Sequence, residues 1–303
     1  LVVFSIFDWQ AAIYAYDDSP FVLSVFSFNP AINNFLSLLL TVLNAILIQN
    51  LNLRFNILRK RSLLPFLIFL FLMAGWYPLH FIWELHLALS IFILAFYYFF
   101  DMYRQPAAVE QAFMGSFLIA VANLFLPPLL WMVPVVWINF LQMRAFTLRT
   151  FLASILGILT PWILYAGGYF IFQDNFDFNK LIFSRFFDGG KYDFSSFQSI
   201  DLIYFVSLAA ILLISIVYIY MNYQQDSIST RSKLNVLIIQ LLFLLGISIF
   251  HASVFYCFLS FAVFFYVLLL SHPFSTRENN FFSILFIVFC LLNVAFVLFK
   301  IIA

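Results

Sequence analysis

Two adjacent carboxylates, Asp17 and Asp18, are the residues of this chain whose type and spacing best suit catalysis. They follow an apolar run at residues 1–16 and precede Ser19 and Pro20. A carboxylate in a partly desolvated cleft can take a proton from an acceptor hydroxyl, and its oxygens can hold a divalent cation. The pair is therefore a candidate base and metal ligand. The alternative is a solvated turn, because Asp, Ser and Pro are common turn residues.

A polar stretch at residues 173–199 carries three cations, Lys180, Arg185 and Lys191. Arginine forks and lysine ammonium groups bind phosphate oxygens, so these residues are candidates for holding the phosphates of a lipid carrier. The alternative is that they balance the acidic residues of the same stretch. Those residues are Asp174, Asp177, Asp188 and Asp193.

His80 and Glu84 form a second candidate substrate-binding group, near the start of an apolar run. A carboxylate close to a membrane span is costly to bury without a partner, so Glu84 is a functional candidate. His86 does not complete a zinc site, because on a helix it would lie about 200° around the axis from Glu84. Histidines at the membrane interface are the alternative interpretation.

The composition places this chain in a membrane. Of its 303 residues 65% are hydrophobic and 9% are charged, with a mean hydropathy of +1.07. A soluble domain of this length cannot bury so much apolar surface. Runs such as 207–218 and 261–270 are apolar on every side, whereas strands of a membrane barrel alternate. We predict an all-α, polytopic bundle forming one integral membrane domain over residues 1–303.

Two further classes of site are disfavoured. A formal net charge of +1 supplies no basic stripe for nucleic acid. Cys257 and Cys290 lie in apolar runs without a paired cysteine motif, so they are interpreted as small hydrophobic residues.

The apolar runs predict about eleven membrane spans. A hydrocarbon core of about 30 Å requires about 20 helical residues, and several of the runs are shorter. Because the chain begins at Leu1 inside an apolar run, we expect a few N-terminal residues to be missing. The predicted spans are 1–16, 32–51, 63–77, 86–100, 107–125, 128–143, 151–172, 200–221, 234–250, 252–270 and 281–300.

The placement of charge predicts the orientation. With a cytoplasmic N-terminus, ten of the fourteen Lys and Arg residues fall in cytoplasmic connections, as expected for loops on that side. Most acidic residues, including Asp201, fall on the opposite side. The ten basic residues are Arg54, Arg59, Lys60, Arg61, Arg104, Arg144, Arg149, Arg231, Lys233 and Arg277.

Five segments resemble an uncharacterised family of Bacteroidota inner-membrane proteins, a domain of unknown function. The likeness covers about residues 15–170 and implies a multi-pass protein of the bacterial inner membrane, with no established activity. The segments are RFNILRKRSLLP at 54–65, YRQP at 103–106, GSFLIAVANLF at 115–125, RAFTLR at 144–149 and GILTPW at 157–162.

A looser resemblance is to the GT-C superfamily of membrane glycosyltransferases, which use polyprenyl-phosphate sugars. Asp17 and Asp18 stand in the matching first outward loop, and the helix 115–125 runs into Pro127 as in that superfamily. The resemblance implies glycosyl transfer at the periplasmic face, from a polyprenyl-phosphate carrier, with the two acids as the catalytic pair. The chain lacks the periplasmic domain of those enzymes, and Ser-Pro follows its acids.

Two alternative functions stay open. One is a non-catalytic subunit of an inner-membrane assembly for envelope biogenesis or secretion, with other subunits as partners. The other is a lipid or solute transporter. Asn123, Asn139 and Gln240 are the polar groups available within the spans for a proton relay, which disfavours transport.

Overall fold

The computed structural model describes residues 30–75, 82–105, 107–172, 199–250, 255–275 and 280–302. Within these ranges the secondary structure consists of ten α-helices and two short 3-10 helices, at Pro127–Met132 and Tyr223–Gln225. The predicted all-α class is therefore confirmed. The α-helices are α1 Pro30–Phe55, α2 Leu64–Gly75, α3 Trp83–Asp101, α4 Val109–Phe125, α5 Val133–Gln142, α6 Leu148–Phe172, α7 Ser199–Met221, α8 Ile228–Phe250, α9 Phe255–Phe274 and α10 Asn280–Ile302.

Seven of the described helices are long and apolar enough to cross a membrane, namely α1, α3, α6, α7, α8, α9 and α10. Three further predicted spans form shorter apolar helices at Leu64–Gly75, Val109–Phe125 and Pro127–Gln142. The predicted span at residues 1–16 lies outside the described residues. The structure thus supports a multi-pass membrane protein, while the total of about eleven spans stays a prediction.

The chain reverses direction at the proline pair, Pro127 and Pro128. Leu126 follows α4 with φ −129° and ψ 89°, outside the α region that proline disfavours for the residue before it. Pro127 opens a 3-10 helix, and α5 then returns toward the start of α4. The backbone N–H of Arg104 donates to the carbonyl oxygen of Met143 at 2.9 Å, which joins the two ends of this hairpin.

Alternate connections of the chain meet at one end of the bundle, which we call the basic end. Lys233 donates from Nζ to the carbonyl oxygen of Phe55 at 3.0 Å, and Arg54 pairs with Asp101 at 2.6 Å. These contacts bring two of the basic connections together, while the membrane face that this end occupies stays a prediction. The basic end comprises Arg54, Arg59, Lys60, Arg61, Arg104, Arg144, Arg149, Arg231 and Lys233, whereas Arg277 lies outside the described residues.

Three helices stop at the basic end with a residue in the left-handed backbone region. Asn56 follows α1 with φ 48°, and Arg104 and Arg144 follow α3 and α5 with φ 58° and 55°. Glycine is the usual residue at such helix ends, because it has no Cβ to clash with the backbone. Arginine has a Cβ and is therefore strained in this backbone region. It places a positive charge beside the last turn of the helix, where the helix dipole favours cations.

Helix α9 forms the centre of the bundle. In the window Cys257–Phe274, 94% of the residues are buried, and α9 packs against α1, α2, α3, α7, α8 and α10. Phe92 meets Phe261 edge to face, and Phe96 meets Phe265 similarly, each with ring centroids 5.1 Å apart. Such aromatic pairs add about 0.5–1.5 kcal/mol each beyond area burial. Helices α1, α6, α7 and α10 present apolar outer faces to the surroundings.

Candidate functional site

Most of the site residues predicted from sequence lie outside the described residues, so their roles stay predictions. These are Asp17, Asp18, His80, Lys180, Arg185 and Lys191. Glu84 is described, and it lies half-buried in the first turn of α3. No group of three or more His, Cys, Asp or Glu side chains is arranged to hold a metal ion in the part of the chain that the structure describes.

His86, two residues after Glu84, belongs to a polar contact between α1 and α3. Its side chain is buried, and Nδ1 lies 3.4 Å from Thr41 Oγ1. Its carbonyl oxygen accepts a hydrogen bond from Asn44 Nδ2 at 3.0 Å, and Ser90 Oγ donates to Asn44 Oδ1 at 2.7 Å. Hydrogen bonds of this kind hold helices together in lipid. His86 therefore joins two helices and is not exposed to solvent at the membrane interface.

A buried ion pair fixes the basic end. Arg59 donates from Nε to Asp226 Oδ1 at 2.7 Å and from Nη2 to Oδ2 at 3.2 Å, which is a two-point contact. Arg59 also donates to the carbonyl oxygen of Asn222 and to the side chain of Gln225. The side chain of Asp226 is 1% exposed and that of Arg59 is 18% exposed. The pair ties the α1–α2 connection to the turn between α7 and α8.

His272, in the last turn of α9, lies beside this ion pair. Its ring is fully buried, and Nε2 is 3.4 Å from Asp226 Oδ1. Burial alone would raise the pKa of the Asp226 carboxyl. Hydrogen bonding and charge interaction with His272 and Arg59 outweigh burial, and they hold that pKa at about 2, below its ordinary value of 3.8.

The depressed pKa of Asp226 predicts a loss of stability in acid. The ionised carboxylate stabilises the fold fully above a pH of about 4, and this contribution is lost as the pH falls towards about 2. We expect the unfolding temperature in lipid nanodiscs to fall more steeply across this window for the natural protein than for Asp226→Asn, which has no carboxyl group to protonate. Equal slopes for the two proteins would contradict the assignment.

Helices α7 and α8 enclose a groove at the other end of the bundle. A short turn joins them at the basic end, and each packs on α9, but they make little direct contact with each other. Between them lies a cavity of about 260 Å³. Its walls come from α2, α7, α8 and α9: Leu72, Phe205, Leu208, Ala209, Leu212, Leu241, Leu245, Ser248, Phe255, Leu259, Ala262, Val263 and Tyr266.

The walls of this α7–α8 groove are apolar. Ser248 and Tyr266 are the two polar side chains among the lining residues, and both hydroxyls donate to backbone carbonyls, Ser248 to Leu245 at 2.7 Å and Tyr266 to Leu208 at 3.3 Å. An apolar cavity of about 150 Å³ stays dry and accepts benzene, so a larger one with these walls suits a hydrocarbon.

The groove opens at the outer face of α7. Ala209 lines the cavity and is itself exposed, as are Val206 and Leu213 on the same helix. Because α7 and α8 are both long and apolar enough to cross a membrane, we expect this opening to face the hydrocarbon of a bilayer. A hydrophobic chain can therefore enter from the side.

A buried carboxylate lies one helical turn beyond the end of the groove. Asp201 is in the first turn of α7 with 7% exposure, four residues before the lining residue Phe205. Residues four apart lie on the same helical face. Ser248 lines the groove on α8, and Phe255 lines it at the start of α9. The apolar groove thus has a polar end, far from the basic end.

Three buried amides add polarity elsewhere in the bundle. The side chains of Asn123, Asn139 and Gln240 are fully buried on α4, α5 and α8, and none makes a hydrogen bond to the described residues. An unpaired polar group is costly in such surroundings.

No family model, no curated protein and no solved structure matches this chain. The multi-pass architecture therefore stands on the sequence and the structure alone. Membership of the Bacteroidota family and the GT-C likeness stay predictions.

Proposed function

We propose that this membrane protein binds the hydrocarbon chain of a lipid in the α7–α8 groove and presents the lipid head at the polar end. The observation that carries the proposal is the cavity of about 260 Å³, walled by apolar side chains and open beside Ala209.

Shape and setting favour a single chain over other occupants. A helix with its side chains is about 10 Å wide, which is too thick for a cavity of this volume. A polar solute would find no free hydroxyl donor on the walls, since the hydroxyls of Ser248 and Tyr266 already donate to backbone carbonyls. A lipid chain is thin enough for the cavity and needs no hydrogen bond from its walls. The bilayer supplies such chains at the opening of the groove.

The GT-C resemblance suggests a polyprenyl-phosphate-linked sugar as the lipid. In this proposal Asp17 and Asp18 are the catalytic pair, with a divalent cation if one is used, and Lys180, Arg185 and Lys191 bind the phosphates together with His80 and Glu84. The stretch 173–198 directly precedes α7 in the chain. With the basic end in the cytoplasm, as charge bias favours, the polar end of the groove faces the periplasm of the inner membrane.

Filling the groove is the test of lipid binding. We expect Ala209→Trp to reduce labelling of α7, α8 and α9 by a phospholipid with a photoreactive diazirine in its acyl chain about tenfold, because the indole occupies the opening. The measurement is mass spectrometry of labelled peptides from protein in nanodiscs.

Ala210→Trp is the matched control, because Ala210 is exposed on the same helix and does not line the cavity. It should label like the natural protein, and both variants should keep the unfolding temperature. Equal labelling of the natural protein and Ala209→Trp would remove the proposal.

A further inference from the structure

We infer that the basic end carries a surface site for an anionic phospholipid. In this site Arg104, Arg144 and Arg149 bind the phosphate of the lipid head, and an acyl chain of the same lipid lies along the outer face of α6. The site shares no residue with the α7–α8 groove, so the inference goes beyond the proposed function and does not depend on it.

The first observation is that the backbone sets the three arginines close together. The backbone N–H of Arg104 donates at 2.9 Å to the carbonyl oxygen of the residue before Arg144. Thr150 ties the first turn of α6, which carries Arg149, back to Ala145, because its buried hydroxyl donates to that carbonyl oxygen at 2.9 Å. All three arginine side chains are exposed. Their guanidinium groups therefore start from one small area of the surface.

The second observation is the excess of positive charge in this area. Two carboxylates occur in the residues 101–110 and 142–150. Asp101 is paired with Arg54 at 2.6 Å, and Glu110 is exposed in the first turn of α4. One carboxylate cannot balance three guanidinium groups, so an anion is favoured beside them. Arginine forks bind two phosphate oxygens at once, which makes a phosphate the matching anion.

The start of α6 favours an anion as well. A helix dipole places partial positive charge at the N-terminus of a helix, where acidic side chains are the usual partners. The first turn of α6 has no acidic residue and carries Arg149 instead. A phosphate bound beside Arg149 offsets the charge of the side chain and of the helix end together.

The third observation is an apolar stripe that begins beside the arginines and selects a lipid over a soluble phosphate compound. It runs about 22 Å along the axis of α6, more than the roughly 15 Å of hydrocarbon in one leaflet. A phospholipid of the surrounding bilayer can place its phosphate on the arginines and an acyl chain on this stripe. The stripe follows one face of the helix, and its side chains are between 47% and 72% exposed: Leu148, Leu152, Leu156, Leu159 and Ile163.

The test compares two phospholipids that carry the same diazirine-bearing acyl chain, a phosphatidylglycerol and a phosphatidylcholine. Both contain a phosphate, but the choline adds a positive charge that arginines repel. With protein in phosphatidylcholine nanodiscs, we expect the phosphatidylglycerol probe to label α6 peptides about tenfold more than the other probe at equal concentration. Mass spectrometry of the labelled peptides gives the ratio. Equal labelling by the two probes overturns the inference.

Variants assign this preference to the arginines of the site. Arg144→Gln combined with Arg149→Gln should lower the ratio to about twofold or less, because two of the three guanidinium groups are gone. Lys60→Gln combined with Arg61→Gln is the matched control, since it removes the same charge from exposed side chains of the α1–α2 connection. It should keep the ratio of the natural protein. An equal loss in the two double variants would show a general attraction of charge and would overturn the site.

Other occupants of this surface give different results. Inorganic phosphate at millimolar concentration and matched ionic strength should leave the labelling ratio unchanged, because it cannot cover the apolar stripe. If it abolished the preference, the arginines would bind a soluble anion and the lipid site would be wrong. Leu148→p-benzoylphenylalanine, cross-linked in cells, should give no discrete protein adduct. A single protein adduct there would assign the surface to a partner protein and overturn the inference.

Discussion

Replacing Arg59 by alanine is expected to destabilise the protein by about 3–5 kcal/mol, because the buried carboxylate of Asp226 would lose its two-point partner. The Asp226 side chain is 1% exposed, so water cannot solvate the charge in place of the guanidinium. The free energy of unfolding, or the unfolding temperature, of the purified protein in nanodiscs measures the effect. The same change should loosen the turn between α7 and α8, because Arg59 also donates to the carbonyl oxygen of Asn222 in that turn.

Arg54→Ala is the matched control for this prediction. Arg54 and Asp101 are 2.6 Å apart, but their side chains are 56% and 35% exposed. Exposed ion pairs contribute about 0–1 kcal/mol, and the cation–π contact of Arg54 with Phe55 adds a similar small amount. If Arg54→Ala lowered the free energy of unfolding as much as Arg59→Ala, burial would not explain the stabilising effect of the Arg59–Asp226 pair.

Gly157→Ala is expected to cost about 1–3 kcal/mol, because α6 and α4 touch at this glycine. A Cβ there would lie 2.5 Å from the carbonyl oxygen of Phe113 and 3.1 Å from the amide nitrogen of Phe117. Both atoms belong to the backbone of α4, so they cannot rotate away as a side chain would. Small residues allow such close approach of helices in membranes. Unfolding in nanodiscs again gives the measurement.

Gly167→Ala, in the same helix, is the control for Gly157→Ala. A Cβ on Gly167 meets no atom within 4 Å. Alanine is the better helix former by about 1 kcal/mol, so this variant should be neutral or slightly more stable. If both variants lost the same free energy of unfolding, the helices α4 and α6 would be farther apart at Gly157 than the structure shows.

The helices and the grouping of charge could be predicted from the sequence, because each depends on local features. The run lengths fix where helices lie, and ten of the predicted spans coincide with described helices. Pro127 and Pro128 mark the reversal after α4 through their own backbone restrictions. Successive spans cross the membrane in opposite directions, so alternate connections lie on the same side. This alternation alone was enough to assign the basic connections to one side.

The centre of the bundle could not be read in the same way. Helices α9 and α10 are both apolar on every side, yet 94% of the α9 window is buried and 17% of the α10 window. Lipid and protein interior are similarly apolar, so hydropathy does not distinguish a central helix from a lipid-facing one. The Phe-rich contacts of α3 with α9 depend on tertiary packing alone.

The groove and the ion pair also depend on contacts between distant parts of the chain. Arg59 and Asp226 are 167 residues apart, and no motif links them. Asp201 appeared in the sequence only as one acid on the outer side. Its position four residues before Phe205 becomes informative once Phe205 is known to line a cavity. The sequence-predicted catalytic acids, Asp17 and Asp18, lie outside the described residues.

An experimental structure of the protein in nanodiscs of native bacterial lipids tests lipid binding most directly. We predict continuous density for one hydrocarbon chain along Leu208, Leu241 and Val263. Density showing α7 packed directly against α8, with the space between them closed in the presence of lipid, would contradict the account.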